Sequence, residues 1–337
     1  MGERRLNSAA PLLAVSGLRV AFQTSHGLLP AVDDVSFTLA QGEILGVVGE
    51  SGAGKSMTGA AILGLIPEPG RMTGGEIRLA GERIDNIGPA AMRRLRGARI
   101  GAIFQDHLAS LDPLFTIGDQ LIETIRVLRR LGAAQAREEA LALLAKVGIP
   151  SPAQRLRSYP HQMSGGMRQR VVIALALCGE PSLLIADEPT TALDVSVQAQ
   201  IIRLLRRLCQ ESGVAVLLVT HDMGVIADAA DRVVVMYAGR VVEVGPARHI
   251  LRQPRHPYTA GLMSAIPRID RDHERLRQIE GAMPRLWALP PGCAFQPRCP
   301  EAFARCLSER PDLVAVDEGV AACWRHGPDG DATLGHA

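Results

Sequence analysis

Eight residues constrain this chain more than any others: Gly49-Glu50-Ser51-Gly52-Ala53-Gly54-Lys55-Ser56, which spell G-x-x-x-x-G-K-S. They stand between a strand-like apolar run, ILGVVG (44–49), and a helix-like run, MTGAAILGL. In that context the glycines let the backbone curl, so that successive N–H groups and the helix N-terminus face phosphate oxygens. All eight are candidate nucleotide contacts; Lys55 suits the β- and γ-phosphates and the Ser56 hydroxyl suits Mg²⁺. A glycine-rich turn with a surface lysine is the plain alternative, and so many fixed positions argue against it.

Such a loop needs a sheet to carry it. SLLIAD (182–187) precedes VQAQIIRLLRRL, and VAVLLVT (214–220) precedes MGVIADAA. Strand, loop and helix repeated in this way predict a parallel α/β sheet covered on both faces. GGEIRLAGERI (74–84) and DRVVVMYAGRVVEVG (231–245) read as β-hairpins turning near Gly81 and Gly239. The stretch from about 90 to 165 is dominated by helical periodicity and reads as a helical insertion. After about 250 the chain turns Pro-, Arg- and Cys-rich, so a small C-terminal domain is expected over 251–337. The expected fold is a P-loop α/β core with an antiparallel β subdomain, a helical insertion and that small Cys-containing domain.

The run Leu183-Leu184-Ile185-Ala186 ends in Asp187-Glu188. C-terminal ends of parallel strands line the ligand crevice. Asp187 is therefore the candidate Mg²⁺ partner, and Glu188 is placed to polarise an attacking water. Alone, a DE pair is two solvated acids opening a loop; the loop at Gly49 makes that improbable.

At 337 residues the chain exceeds the roughly 250 at which a single core stops growing. Its 47% apolar and 21% charged residues suit a folded body. Lys+Arg exceeds Asp+Glu by only two, which speaks against a dedicated nucleic-acid binder. The opening MGERRLNSAAPLLAV lacks a long apolar h-region, and no stretch reaches the ~18 apolar residues of a membrane span. Any membrane role is thus expected to come through a partner, with the cysteines in a reducing compartment. Cys178 and Cys209, inside helix-like runs, read as small buried hydrophobes.

Met163-Ser164-Gly165-Gly166-Met167-Arg168-Gln169-Arg170 precedes the helical run VVIALALC and makes a second helix N-terminus suited to an anion. In order, Gly49–Ser56, Gln105, Ser164–Met167, Asp187-Glu188, Ala192-Leu193-Asp194 and His221 resemble the motifs of the ABC ATPase cassette, over roughly residues 12–250. The resemblance implies ATP and Mg²⁺ as ligands. It implies that Gln105 contacts Mg²⁺ and the attacking water, and links the core to the helical insertion. Ser164, Gly165, Gly166 and Met167 would bind the γ-phosphate of ATP held by the opposite subunit. His221 would contact the γ-phosphate, and Asp194 would lie at the dimer interface. Met167 replaces the more usual glutamine of that loop, an exchange shared with peptide-import relatives. Phe22 is the candidate for stacking on adenine, with His26 as the alternative.

Three further stretches resemble the oligopeptide and dipeptide importer branch: Phe104-Gln105-Asp106 with Ser110-Leu111-Asp112-Pro113, then His256-Pro257-Tyr258-Thr259-Ala260-Gly261-Leu262, then Gly292-Cys293 to Cys299-Pro300. His107 stands where the branch often has proline. The resemblance implies a subunit at the cytoplasmic face of the cell membrane, powering peptide import. Its partners would be a second ATPase, a paralogue or an identical chain, and two transmembrane permease subunits fed by a solute-binding protein. Two ATP molecules would be sandwiched between one subunit's Gly49 loop and the other's Ser164 loop. A nickel or other metal importer is the rival within transport; a non-transport ABC protein with a nucleic-acid-binding metal tail is the rival outside it.

Cys293-x₅-Cys299-x₆-Cys306-x₁₆-Cys323 offers four thiols in a segment poor in periodic apolar residues. Four thiolates suit Zn²⁺ or an iron–sulfur cluster. The spacing lacks C-x₂-C knuckles, and Pro297 and Pro300 flank Cys299 in a loop able to wrap a larger body. Resemblance to the peptide-importer tail also favours [4Fe–4S] over Zn²⁺.

Overall fold

The computed structural model describes residues 10–25, 27–106, 109–191, 193–265 and 278–326. In chain order the strands begin with β1 (Leu13–Thr24), β2 (Gly27–Leu39), β3 (Ile44–Val48), β4 (Gly70–Leu79), β5 (Glu82–Arg83) and β6 (Ile100–Ile103). They continue with β7 (Leu183–Asp187), β8 (Ala215–Thr220), β9 (Arg232–Tyr237), β10 (Arg240–Pro246), β11 (Val314–Val316) and β12 (Gly319–Ala321). One sheet is antiparallel, in the order β2-β1-β4-β5; the other has the order β11-β12-β10-β9-β3-β8-β7-β6.

In the larger sheet β9, β3, β8, β7 and β6 run parallel. Every residue of β3 and β8 is buried, as expected where both faces are covered. Alternate side chains then serve two cores. Leu45, Val47, Leu183, Ile185, Leu217 and Val219 pack with β1 and β4. Ile44, Val48, Leu184, Ala186, Val216 and Leu218 pack with the helices.

The helices are α1 (Lys55–Ile62), α2 (Pro89–Leu95), α3 (Ile117–Arg129), α4 (Ala133–Lys146), α5 (Pro152–Arg155) and α6 (Gly165–Leu177). After them come α7 (Val195–Ser212), α8 (Met223–Ala229), α9 (Ala247–Arg252), α10 (Pro257–Ser264) and α11 (Ala304–Ser308). α3 starts at a capping box, in which Thr116 Oγ1 accepts from Asp119 N (3.2 Å) and Asp119 Oδ2 from Thr116 N (3.1 Å). Its buried Ile117, Leu121 and Ile125 share a core with Ala136, Ala140 and Leu144 of α4, the 3–4-residue spacing of one helix face.

The structure departs from the sequence pattern in two places. The helical stretch after residue 90 contains a core strand, β6, which pairs in parallel with β7. Its central Gly101 weakens any strand signal, but a Cβ there would strike the Ala176 carbonyl. The long strands β1 and β2 also escape the alternation test, because register shifts between Val15 and Ala21 break the period of two.

Beyond residue 250 the chain extends the larger sheet. β12 pairs with β10 at Glu243↔Ala321 and Val244↔Val320, and β11 pairs with β12. Tyr258 and Phe295 are buried against Tyr237 of β9, with ring centroids 4.7 and 5.3 Å away. Glu243, 3% exposed, accepts from Arg255 N (2.8 Å) and His256 N (2.9 Å), which fixes the turn into α10.

Candidate nucleotide site

The Gly49–Gly54 loop joins β3 to α1. Gly54, at φ 98°, caps α1, and a Cβ there would lie 2.8 Å from the Ala31 carbonyl oxygen. Only glycine fits both the backbone angle and the space. Lys55 is 6% exposed, and its Nζ donates to the carbonyls of Gly49 (2.8 Å) and Glu50 (3.0 Å). Burial lowers the pKa of Lys55, against the opposing pull of Glu188, Asp187 and Glu50.

Ser56, one residue into α1, donates from Oγ to Asp187 Oδ1 at 3.0 Å. Burial, reinforced by the Glu188 charge, raises the Asp187 carboxyl above its ordinary value despite Ser56 and Lys55. Glu188 follows at φ 48°. Its Oε2 accepts from Gln105 Nε2 (3.1 Å) and Thr191 Oγ1 (3.0 Å), and its Oε1 lies 2.9 Å from His221 Nδ1. Burial pushes the Glu188 pKa up, but the hydrogen bonds from His221 and Thr191 and the charge of Lys55 outweigh it, and the net shift is downward. The carboxylate is therefore ionised and held at three points.

These residues converge because they all sit at C-terminal ends of neighbouring parallel strands: the Gly49 loop after β3, Gln105 after β6, Asp187 and Glu188 at β7, His221 after β8. Of the sequence-predicted residues, the Gly49–Ser56 loop, Gln105, Asp187, Glu188 and His221 are thus brought together. Ser164, Gly165, Gly166 and Met167 form a second group. Ser164 Oγ caps α6 by accepting from Met167 N (3.3 Å), and a Cβ on Gly166 would lie 2.7 Å from Val197 of α7. Asp194 caps α7, its Oδ1 accepting from Val197 N (2.9 Å) and Ser196 Oγ (2.7 Å). Phe22 is half-buried, with its ring over Gly70 of β4. His26, His107 and Ala192 lie outside the described residues.

Three further residues support the site although the sequence motifs assign them no role in it. Thr191 fixes one oxygen of Glu188. Gln169, 2% exposed, donates from Nε2 to the Pro189 carbonyl at 2.6 Å, tying α6 to the loop after Glu188. Tyr258 accepts from Glu50 N at 2.8 Å across 208 positions of sequence. Gln169 and Tyr258 both lie inside motif stretches, 163–170 and 256–262, but nothing in the spelling says what either side chain touches.

Cys293, Cys299, Cys306 and Cys323 line one cavity of about 20 Å³. Among the described residues, however, no three His, Cys, Asp or Glu side chains are grouped so as to hold a metal ion. This differs from the expected ready ligand set. Burial, with the neighbouring cysteines, pushes Cys299 up to about 12 and Cys323 up to about 11, so as they stand these are neutral thiols rather than thiolates.

The fold and the strand-end cluster define a P-loop ATPase of the cassette type. A family model described as ABC transporter matches residues 32–191, and one described as oligopeptide/dipeptide transporter, C-terminal region, matches 242–306. The chain is 47% identical over 308 residues to the dipeptide transport ATP-binding protein DppD of Escherichia coli (strain K12), covering 91% of this chain and 94% of that one. It is 48% identical over 315 residues to the oligopeptide transport ATP-binding protein OppD of Salmonella typhimurium, covering 93% of each. Among solved structures, the dimeric post-hydrolysis state of the ATP-binding cassette MJ0796, bound to ADP and Pi, matches with a TM-score of 0.63. That match has 27% identity and covers 70% of this chain and 99% of that one. The chain belongs to the ABC transporter family, and within it to the oligopeptide/dipeptide branch.

Proposed function

We propose that this chain is the ATP-hydrolysing subunit of an importer for di- and oligopeptides, working at the cytoplasmic face of the membrane. The observation that carries the hydrolytic part is the Glu188 carboxylate, held by Gln105, Thr191 and His221 beside the Ser56–Asp187 pair. The peptide part rests on the relatives and on the match over residues 242–306. None of the described helices is long and apolar enough to cross a membrane, which agrees with permease subunits as partners.

In this reading Glu188 accepts the proton of the attacking water, and Gln105 and His221 hold the carboxylate and meet the water and the γ-phosphate. The loop formed by Gly49, Glu50, Ser51, Gly52, Ala53, Gly54, Lys55 and Ser56 binds the phosphates through the lysine charge and through those of its backbone amides that are free to face them. The Glu50 amide is taken by the Tyr258 hydroxyl. Ser56 and Asp187 present two hard oxygens, which fits Mg²⁺, an ion bound by few protein oxygens together with phosphates and water. When bound, Mg²⁺ neutralises charge on the β- and γ-phosphates. Phe22 stacks on adenine. Ser164–Met167 and Asp194 serve the nucleotide of a second ATPase subunit, a proposal supported by the packing of Gly165 and Gly166 against Leu193 and Val197, which flank Asp194, and by the dimeric cassette relative. ATP binding then favours the closed pair, and loss of the γ-phosphate releases it.

We assign residues 12–250 to the ATPase domain and 251–337 to a peptide-importer-type C-terminal domain. A [4Fe–4S] cluster on its four cysteines, with Zn²⁺ as the alternative, is proposed from their number and spacing. The four border one small cavity but would have to draw together to hold the cluster, and no step of hydrolysis depends on it. Reconstitution with the co-purifying permeases tests the function: ATP-dependent uptake of labelled dipeptide is expected, and uptake of Ni²⁺ instead would overturn the substrate class.

A further inference from the structure

The phosphate loop is gripped from the C-terminal segment. Arg298, whose side chain is 5% exposed, forms a two-pronged ion pair with Glu50, Nη1 to Oε2 at 2.6 Å and Nη2 to Oε1 at 2.9 Å. The guanidinium is itself fixed by donation to the Glu280 carbonyl (2.9 Å) and the Tyr237 hydroxyl (3.3 Å). One residue of the loop is thus held twice from beyond residue 250, its carboxylate by Arg298 and its amide by the Tyr258 hydroxyl at 2.8 Å. Met283 adds a third contact, with its Cε 2.9 Å from where a Cβ on Gly52 would stand.

A carboxylate in a loop built to receive polyphosphate is a liability, because its charge repels the ligand at short range. A buried bidentate arginine cancels that charge and fixes the backbone at the same time. We propose that Arg298 is a positioning residue for the nucleotide: it neutralises Glu50 and, with Tyr258, holds the Gly49–Gly54 loop in its phosphate-receiving shape. The nucleotide site is then incomplete without the C-terminal segment. This rests on the reading of Gly49–Ser56 as the ATP site.

The test compares the full-length chain with Arg298→Gln, Glu50→Gln, the double variant, Arg298→Lys and Tyr258→Phe, by ATP titration, steady-state kinetics and thermal melting. Arg298→Gln should weaken ATP binding about tenfold or more, by raising KM while kcat stays within a few-fold. Arg298→Lys keeps the charge but not the fork and should fall between. The double variant should recover much of the lost affinity, since the uncancelled carboxylate is gone; a purely structural arginine would leave it at least as weak as Arg298→Gln. Tyr258→Phe should lower affinity several-fold. Unchanged ATP affinity in Arg298→Gln, or no recovery in the double variant, overturns the proposal. Should Arg298→Gln not fold, unchanged affinity in both Arg298→Lys and Tyr258→Phe overturns it. Lys55→Ala separates the two failures: if it both binds and hydrolyses ATP as wild type does, the site assignment itself fails. If it loses ATP while Arg298→Gln keeps it, the Arg298 proposal alone fails.

Discussion

Exchanging the Glu188 carboxylate for an amide removes the charge with little disturbance of its surroundings. In Glu188→Gln the amide oxygen can still accept from Gln105 Nε2 and Thr191 Oγ1, 3.1 and 3.0 Å from Oε2. The amide nitrogen can donate to His221 Nδ1, 2.9 Å from Oε1. No buried group is orphaned, so the fold should survive; the basic lone pair and the negative charge are what vanish. General-base catalysis contributes about 10² to 10⁴ in rate, roughly 3 to 5 kcal/mol of barrier. Phosphate release should therefore fall at least about a hundredfold, while ATP affinity persists because Lys55, Ser56 and the loop amides are untouched. With hydrolysis blocked, Mg–ATP should convert the protein to a lasting dimer, read by light scattering after size exclusion. The pH profile adds a check. The Glu188 pKa lies below its ordinary 4.5 and that of Asp187 above its ordinary 3.8, so on acidification Glu188 remains ionised to below the usual range. Wild-type turnover should not be lost through Glu188 near neutrality. Turnover of Glu188→Gln within a few-fold of wild type would refute the assignment.

Lys55→Ala should weaken ATP binding itself, because its contact to phosphate is made in ground and transition states alike; unchanged affinity with lost turnover would confine Lys55 to the transition state. His256 is 2% exposed, its Nδ1 accepts from Tyr258 N at 3.0 Å, and burial, with His326, pushes its pKa from 6.5 to about 3. Between those values the unfolded chain takes up a proton that the folded chain refuses, so stability falls as pH falls, by at most about 1.4 kcal/mol per pH unit. His256→Asn should flatten the urea midpoint against pH over that window, and an identical slope would count against the buried neutral imidazole. For the four cysteines, anaerobically purified protein should be brown and hold about four iron atoms per chain; one zinc and no iron would replace the cluster, and no metal would remove the site.

The buried strands β3, β7 and β8 are legible in the sequence because short apolar runs bounded by loop residues have few other uses in an α/β protein. Lys55 and Ser56 are legible through the G-x-x-x-x-G-K-S spelling, and Asp187 and Glu188 through their place at the end of a parallel strand, whereas His221 is reached only through its resemblance to the cassette motifs. β6 is harder, since Gly101 answers to the Ala176 carbonyl and not to strand propensity. Contacts between distant segments are harder still. Glu50 and Arg298 lie 248 positions apart, and neither the phosphate-loop motif that holds Glu50 nor the tail that holds Arg298 tells that the two pair. Thr191 looks like any loop threonine until Glu188 is seen to need a donor.

β10 has β9 on one side and β12 on the other. Removing the chain after residue 250 would strip the second partner and leave a row of unpaired amides and carbonyls along a strand containing Val241, Val242 and Val244, the kind of border along which proteins stick to one another. A fragment cut to the cassette alone should then precipitate or form ladders of copies. For the same reason, protease attack in the intact chain at residues beyond 300 should be slow and, once it occurs, should destabilise the ATPase body. Shortening this protein for study therefore carries a hazard that a comparison of domain lengths would not reveal.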